Sequence, residues 1–276
     1  MGKGQESLLE LPLASFPFPL STNAMTTTEP MTLSDEQIAQ YERDGYLIVH
    51  DLLTEEEVDT FVAYEAQDKP EGWIENLRHH VDDPMWEGIA KHPNVVSITR
   101  QLVGSTPQIV QTMYMERPPA GDGDVGGKGV AMHQDLHYLP TEPPTLMACW
   151  IALNDTDAGN GGLCVVPGSH TRGLLDAVQN DNEDQDSWEM NHLMRTREGK
   201  EWTQRFFSFD IDGLDEREVV RLTIPKGAGA FFDGLTIHGS YGNRSKDRTR
   251  RAIATHYVAE GSWVTRTDVQ ETVPAA

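Results

Sequence analysis

The residues with the clearest chemistry in this 276-residue chain lie in the peptide Ala-Met-His-Gln-Asp-Leu-His-Tyr, residues 131–138. His133 and Asp135 are separated by one residue. On a strand, positions i and i+2 share a face, roughly 6.5–7 Å apart, so an imidazole and a carboxylate can converge on one metal ion. A second histidine must come from elsewhere, and His238 in the run FFDGLTIHGS follows a predicted strand and precedes a turn. Two histidines and one carboxylate on one face of an octahedron leave three positions open, which suits a non-haem iron(II) oxygenase. Those positions can take a bidentate 2-oxo acid and then dioxygen. A structural zinc site would instead be filled by protein ligands. His137 continues the run, but along an extended strand it would lie roughly 13 Å from His133. It is therefore expected to line the pocket near the substrate, with Tyr138 beside it, rather than to bind metal.

A 2-oxo diacid has a second carboxylate, which needs a fixed cation. Arginine offers a planar fork for two parallel hydrogen bonds and stays charged when buried. The segment HGSYGNRSKDRTRRAIATHYV supplies several cations after His238. Arg244, Lys246 and Arg248 read as a basic surface turn. Arg250 enters an apolar run and is expected to point into the cavity, with Arg251 on the opposite face.

The elements that must hold these residues can be read from periodicity and punctuation. Ser34 with Gln37, and Thr54 with Glu57, have capping-box spacing and open two short helices, the first stopping at Gly45. The run 46–50 (YLIVH) reads as a strand, and a third helix is expected over 94–102. From about residue 108, short β-rich runs alternate with Gly, Pro, Asn and Asp clusters: QIVQTMYME, TLMACWIALN, GLCVVPG, EVVRLTIP, GAFF and RAIATHYV. They are too closely spaced for helical crossovers, so the expected fold is mainly β with flanking helices: an antiparallel jelly roll with the N-terminal helices on one face. Residues 118–129 and the acidic stretch 176–190 read as loops, either lids over the site or disordered surface insertions. Ser169 and His170 are expected to brace the barrel mouth, and no G-x-S-x-G nucleophile elbow accompanies them.

Residues 1–33 are set apart as an extension, with Met25 or Met31 as alternative starts, and residues 34–276 as a single domain. The balance of 22 basic against 44 acidic residues gives a formal charge of −22, which disfavours nucleic acids and anionic membranes as partners. A small-molecule partner and a monomer or homodimer are expected. The two cysteines, Cys149 and Cys164, sit in apolar runs and imply no disulfide framework, consistent with a reducing, cytoplasmic setting.

Taken in order, DGYLIV, MHQD, CWIALNDTDAGNGGLCVVPGSH, IHGS, GNRS and RRA resemble the phytanoyl-CoA dioxygenase family from about Ser34 onward. The resemblance implies a double-stranded β-helix (cupin-like jelly roll), iron(II), 2-oxoglutarate and dioxygen, and usually hydroxylation with release of succinate and CO2. It maps the iron ligands onto His133, Asp135 and His238, and the 2-oxoglutarate arginine onto Arg250. The family's arginine comes one residue earlier, so the spacing leaves both Arg250 and Arg251 open. Gln111 matches a glutamine beside the cosubstrate. Related halogenases carry a small residue where Asp135 stands, so no halide site is expected. The peptide LHYLPTEPP after that aspartate departs from the ectoine-hydroxylase branch. Two other classes share parts of this pattern: a non-catalytic metal-binding jelly roll, and a zinc-type or cofactor-free cupin isomerase. Turnover of 2-oxoglutarate separates them from the oxygenase.

Overall fold

The computed structural model describes residues 29–73, 76–123 and 125–276. Most of the expected extension, residues 1–28, lies outside them. In chain order the elements are α1 (Asp35–Asp44), β1 (Tyr46–Val49), α2 (Glu55–Glu65), α3 (His79–Asp82), α4 (Pro84–Ala90), α5 (Pro93–Val103), β2 (Pro107–Arg117), β3 (Val130–His133), β4 (Thr141–Glu142), β5 (Met147–Ala152), β6 (Leu163–Val165), β7 (Ala177–Gln179), β8 (Glu189–Arg195), β9 (Glu201–Phe207), β10 (Phe209–Ile211), β11 (Val220–Arg221), β12 (Gly229–Asp233), β13 (His238–Ser240), β14 (Arg250–Ala259), β15 (Trp263–Val264) and β16 (Val273–Pro274). All of them lie in the compact unit Met31–Ala276.

The capping boxes at Ser34 and Thr54 both form, and α1 ends at Gly45 in the left-handed region (φ 76°). The sequence reading did not anticipate α3 and α4. Asp83 caps α4 by accepting from the Met85 and Trp86 N–H groups, with Pro84 in the first turn. Among the described residues no helix is long and apolar enough to cross a membrane.

Two antiparallel sheets carry the fold. The larger runs β1-β12-β5-β14-β2-β16 and the smaller β11-β6-β13-β3. Strand alternation divides the core. Met147, Cys149 and Ile151 of β5 pack outward against the helices with Phe61, Trp86 and Ile98. Ala148, Trp150 and Ala152 of the same strand face inward with Leu163 and Val165 of the smaller sheet. The inward face is rich in alanine (Ala148, Ala152, Ala230, Ala252 and Ala254), which keeps side-chain volume low between the sheets. This is the expected jelly roll with its N-terminal helices on one face. Cys149 and Cys164 are free and buried, and burial pushes both thiols above their ordinary range.

Behind β2, His80 of α3 is buried against Thr112, with Nδ1 3.3 Å from Oγ1 and Nε2 unpartnered. Burial, followed by the nearby Arg78 and Lys91, holds its pKa down at about 4 against an ordinary 6.5. Between pH 4 and 6.5 the unfolded chain therefore binds a proton that the folded chain refuses. Stability from this histidine is complete above 6.5 and is lost as the pH falls towards 4. His80→Leu should remove about 3 kcal/mol from the difference in unfolding free energy between those two pH values, as measured by urea denaturation. An unchanged pH difference would contradict it.

Candidate active site

His133 and His238 face each other across the smaller sheet. Each is the Cα partner of the other in the β3–β13 pairing. Asp135 does not share the strand with His133. Strand β3 ends at His133, and Asp135 opens a single 3₁₀ turn, Asp135–His137. The chain thus folds back instead of running extended, and the carboxylate Oδ1 comes within 3.5 Å of His133 Nε2 and 3.6 Å of His238 Nε2. One ligand atom from each of the three residues lies within 4.8 Å of the others, and all three residues are buried. His133 Nδ1 donates to the Ala131 carbonyl (2.8 Å) and His238 Nδ1 to that of Thr236 (3.0 Å). These bonds fix the tautomers and leave both Nε2 lone pairs for a metal.

The electrostatics prepare the same state. Burial favours a neutral Asp135, but His238, His256 and the hydrogen bonds from His133 and His256 outweigh it and hold the carboxyl well below its ordinary range. Burial lowers His238 to about 4, partly opposed by Asp135. An ionised carboxylate and a neutral imidazole are the forms that bind a divalent ion. Upstream of His238, the buried Ser169 accepts the Ile237 N–H (2.8 Å), and His170 Nε2 donates to the Glu42 carbonyl (3.1 Å). Both residues brace the backbone, as expected.

The site opens into a cavity of about 570 Å³ between the two sheets. Arg250 lies in its wall, 2% exposed, over the Trp150 ring at 5.8 Å. Its Nε donates to the carbonyl of Gly161 (3.0 Å), a glycine held at φ 77°, and Nη1 has no partner. Burial, then the neighbouring Arg117, lowers its pKa to about 9. Arg251 is on the other face, paired with Glu116 at 3.0 Å. Geometry thus separates the two arginines that the spacing left open. The other two cavity arginines already have carboxylates: Arg117 pairs with Asp186, and Arg266 with Asp268. A buried guanidinium with an orphaned N–H and no carboxylate fits an anionic ligand.

Gln111 and Tyr138 also line the cavity; His137 does not. The 3₁₀ turn swings His137 away, so that its Nε2 donates to the Leu175 carbonyl (3.0 Å) and its ring stacks on Phe209. The expectation that it lines the substrate pocket is therefore corrected. Gln111 reaches His256 and Arg266.

The stretch 176–190 is not simply a loop. It contains β7 and ends in the first residues of β8, but it does reach the site, through Asp186, Trp188 and Met190. Residues 118–129 carry no strand among the described residues and are tied down, with Gly126 N donating to the Asn243 carbonyl at 2.8 Å.

A family model described as Phytanoyl-CoA dioxygenase (PhyH) matches residues 30–252. The chain belongs to the phytanoyl-CoA dioxygenase family. A relative from Caenorhabditis elegans, named as a probable phytanoyl-CoA dioxygenase, is 28% identical over 260 residues, covering 84% of this chain and 77% of that protein. Among solved structures, the epimerase SnoN in complex with Fe3+, alpha ketoglutarate and nogalamycin RO superposes with a TM-score of 0.61 at 18% identity, covering 84% of this chain and 86% of that one. EctD from S. alaskensis with 2-oxoglutarate and 5-hydroxyectoine gives 0.56 at 19% identity, over 87% and 80%. These two likenesses show the shared jelly-roll fold.

For this family member, sequence reasoning missed two residues at the site. His256 touches Asp135, and Arg266 closes the far wall. His256 carried a usable signal: it follows Arg250 by an even number of residues in one strand, so both face the cavity. Arg266 comes after the last predicted strand, and no periodicity marks it.

Proposed function

We propose that the protein is an Fe(II)- and 2-oxoglutarate-dependent dioxygenase that hydroxylates a small molecule, releasing succinate and CO2. The observation that carries this reading is one cavity holding both the converged donors of His133, Asp135 and His238 and a buried arginine that lacks an anion. The two Nε2 atoms and Oδ1 would hold iron on one face. Arg250 would hold the far carboxylate of 2-oxoglutarate against Trp150. Bound iron with 2-oxoglutarate supplies the oxidising chemistry from dioxygen. The chain's own part is to orient both groups and to exclude water with the apolar wall. Hydroxylation is favoured over halogenation because Asp135 fills the position that a halide would need.

The substrate end of the cavity is lined by Tyr138, Trp188, Met190 and Leu139, with the Arg266–Asp268 pair as its charged feature. Arg117 and Arg266 are already matched by carboxylates and Arg250 is given to the cosubstrate, so no arginine of the described wall is left over for an anionic substrate. With the net charge of −22, this supports a small neutral or cationic substrate over a polyanionic CoA ester.

The test is an anaerobic titration of metal-free protein with Fe(II) and then 2-oxoglutarate, followed by visible absorption. A weak charge-transfer band that saturates at one equivalent is expected. Its absence, with the protein folded and iron bound, would move the assignment to a metal-binding cupin of another chemistry.

A further inference from the structure

The two oxygens of Asp135 have different neighbours. Oδ1 faces both ligand imidazoles, whereas Oδ2 accepts from His256 Nε2 at 3.1 Å. An ionised carboxylate only accepts, so Nε2 carries the proton, and Nδ1 of a neutral ring is left to accept. Gln111 Nε2 donates to it at 3.3 Å. The Gln111 Oε1 then accepts from Arg266 Nη2 at 3.3 Å, and Asp268 clamps that guanidinium at 2.8 and 3.1 Å. Asp135, His256, Gln111 and Arg266 are each 5% exposed. One direction of donation satisfies every member. Arg266 sets the amide of Gln111, the amide sets the tautomer of His256, and His256 occupies Oδ2.

We propose that this chain holds Asp135 monodentate, with His256 and Gln111 as positioning residues that keep a third coordination position open. The inference rests on the iron and 2-oxoglutarate reading above. With one oxygen given to the metal, three protein donors leave three octahedral positions, enough for a chelating 2-oxo acid and dioxygen. With Oδ2 released, the carboxylate can close on the metal through both oxygens and compete with the chelate. The chain's far end, Arg266–Asp268, forms part of the wall where substrate sits. An occupant that pulls on that pair therefore acts on the metal carboxylate through four hydrogen-bonded groups.

The test compares wild type, His256→Leu and His256→Gln as full-length proteins. Co(II) affinity without cosubstrate is read from its absorption bands. The 2-oxoglutarate affinity is read anaerobically from the Fe(II) charge-transfer band, with thermal melting alongside. His256→Leu should lose far less Co(II) affinity than 2-oxoglutarate affinity, the latter by roughly tenfold, the low end of the 10–100-fold that outer hydrogen-bond partners of metal ligands contribute to metal affinity or activity. His256→Gln, which can still donate to Oδ2, should recover most of that loss. An unchanged 2-oxoglutarate midpoint in His256→Leu overturns the inference. So does a parallel loss of Co(II) affinity, cosubstrate affinity and melting temperature, which a merely structural histidine would give. A wild-type protein without the band overturns the functional reading itself, whereas a wild-type band that His256→Leu leaves unaltered overturns this inference alone.

Discussion

Arg250→Leu is expected to leave the metal-free, cosubstrate-free protein at least as stable as the wild type while weakening 2-oxoglutarate binding on the order of 100-fold. The two effects have one cause. Arg250 is 2% exposed, has no carboxylate partner among the described residues and keeps Nη1 unpaired. Its desolvation is only partly offset by the Gly161 carbonyl, and burial together with the neighbouring Arg117 lowers its pKa to about 9. Replacing a buried, poorly satisfied charge with an apolar side chain is often neutral or stabilising. Removing one partner of a buried charge pair costs about 2–5 kcal/mol of binding, or roughly 1.5–3.5 decades, and the bond that Arg250 keeps to Gly161 places it in the lower half. Arg250→Lys should fall between, because an ammonium restores charge without the planar fork. Melting curves without ligands and anaerobic 2-oxoglutarate titrations check both halves. A variant that melts much earlier yet binds 2-oxoglutarate normally would make Arg250 a structural brace.

Asp135→Ala is expected to have the largest effect on turnover. Succinate release should fall about 10²–10⁴-fold, with Fe(II) affinity falling in parallel, from the 3–5 kcal/mol that breaking a buried charge pair costs. The carboxylate meets three imidazoles, those of His133, His238 and His256, at 3.1–3.6 Å. Its loss removes the only anionic donor of the triad and leaves His256 Nε2 without an acceptor. Asp135→Asn preserves the shape and the His256 contact and should bind metal better than the alanine variant, though below wild type. Metal content after dialysis and succinate quantified by mass spectrometry measure both. Turnover within a few-fold of wild type in Asp135→Ala would remove the facial triad from the mechanism.

Much of the fold was legible because local rules and tertiary packing agree. Capping boxes at Ser34 and Thr54 marked two helices, and β-rich runs bounded by turn-forming clusters marked the central strands in TLMACWIALN and RAIATHYV. The β8–β9 hairpin was missed because its faces alternate weakly. Met190, His192 and Met194 share one face with Phe206, Gln204 and Trp202 opposite them, so polar residues interrupt both rows. Its turn glycine, Gly199 at φ 86°, was the available cue. At the site, residue types revealed the ligands but not the backbone that joins them. The turn at Asp135–His137 breaks the period-two argument, which carried His137 into a cavity that it does not line. The choice between Arg250 and Arg251 depended on which face of β14 is buried, and spacing alone does not encode that.

The hairpin Glu189–Phe207 has a consequence for how this scaffold diversifies. It pairs with neither main sheet and rests on the body through contacts such as Thr267 N to the Leu193 carbonyl and Trp263 Nε1 to the Arg195 carbonyl. Yet it delivers Met190 and His192 to the cavity, with Trp188 just ahead of it. The metal donors, the arginine and the hydrogen-bonded chain behind them all come from other segments. Trp188 and Met190 can therefore reshape the doorway without altering a metal donor or Arg250, whereas the buried Met194 and Phe206, and His192 at 3.6 Å from Asp268, tie the same hairpin to the body and to the end of the hydrogen-bonded chain.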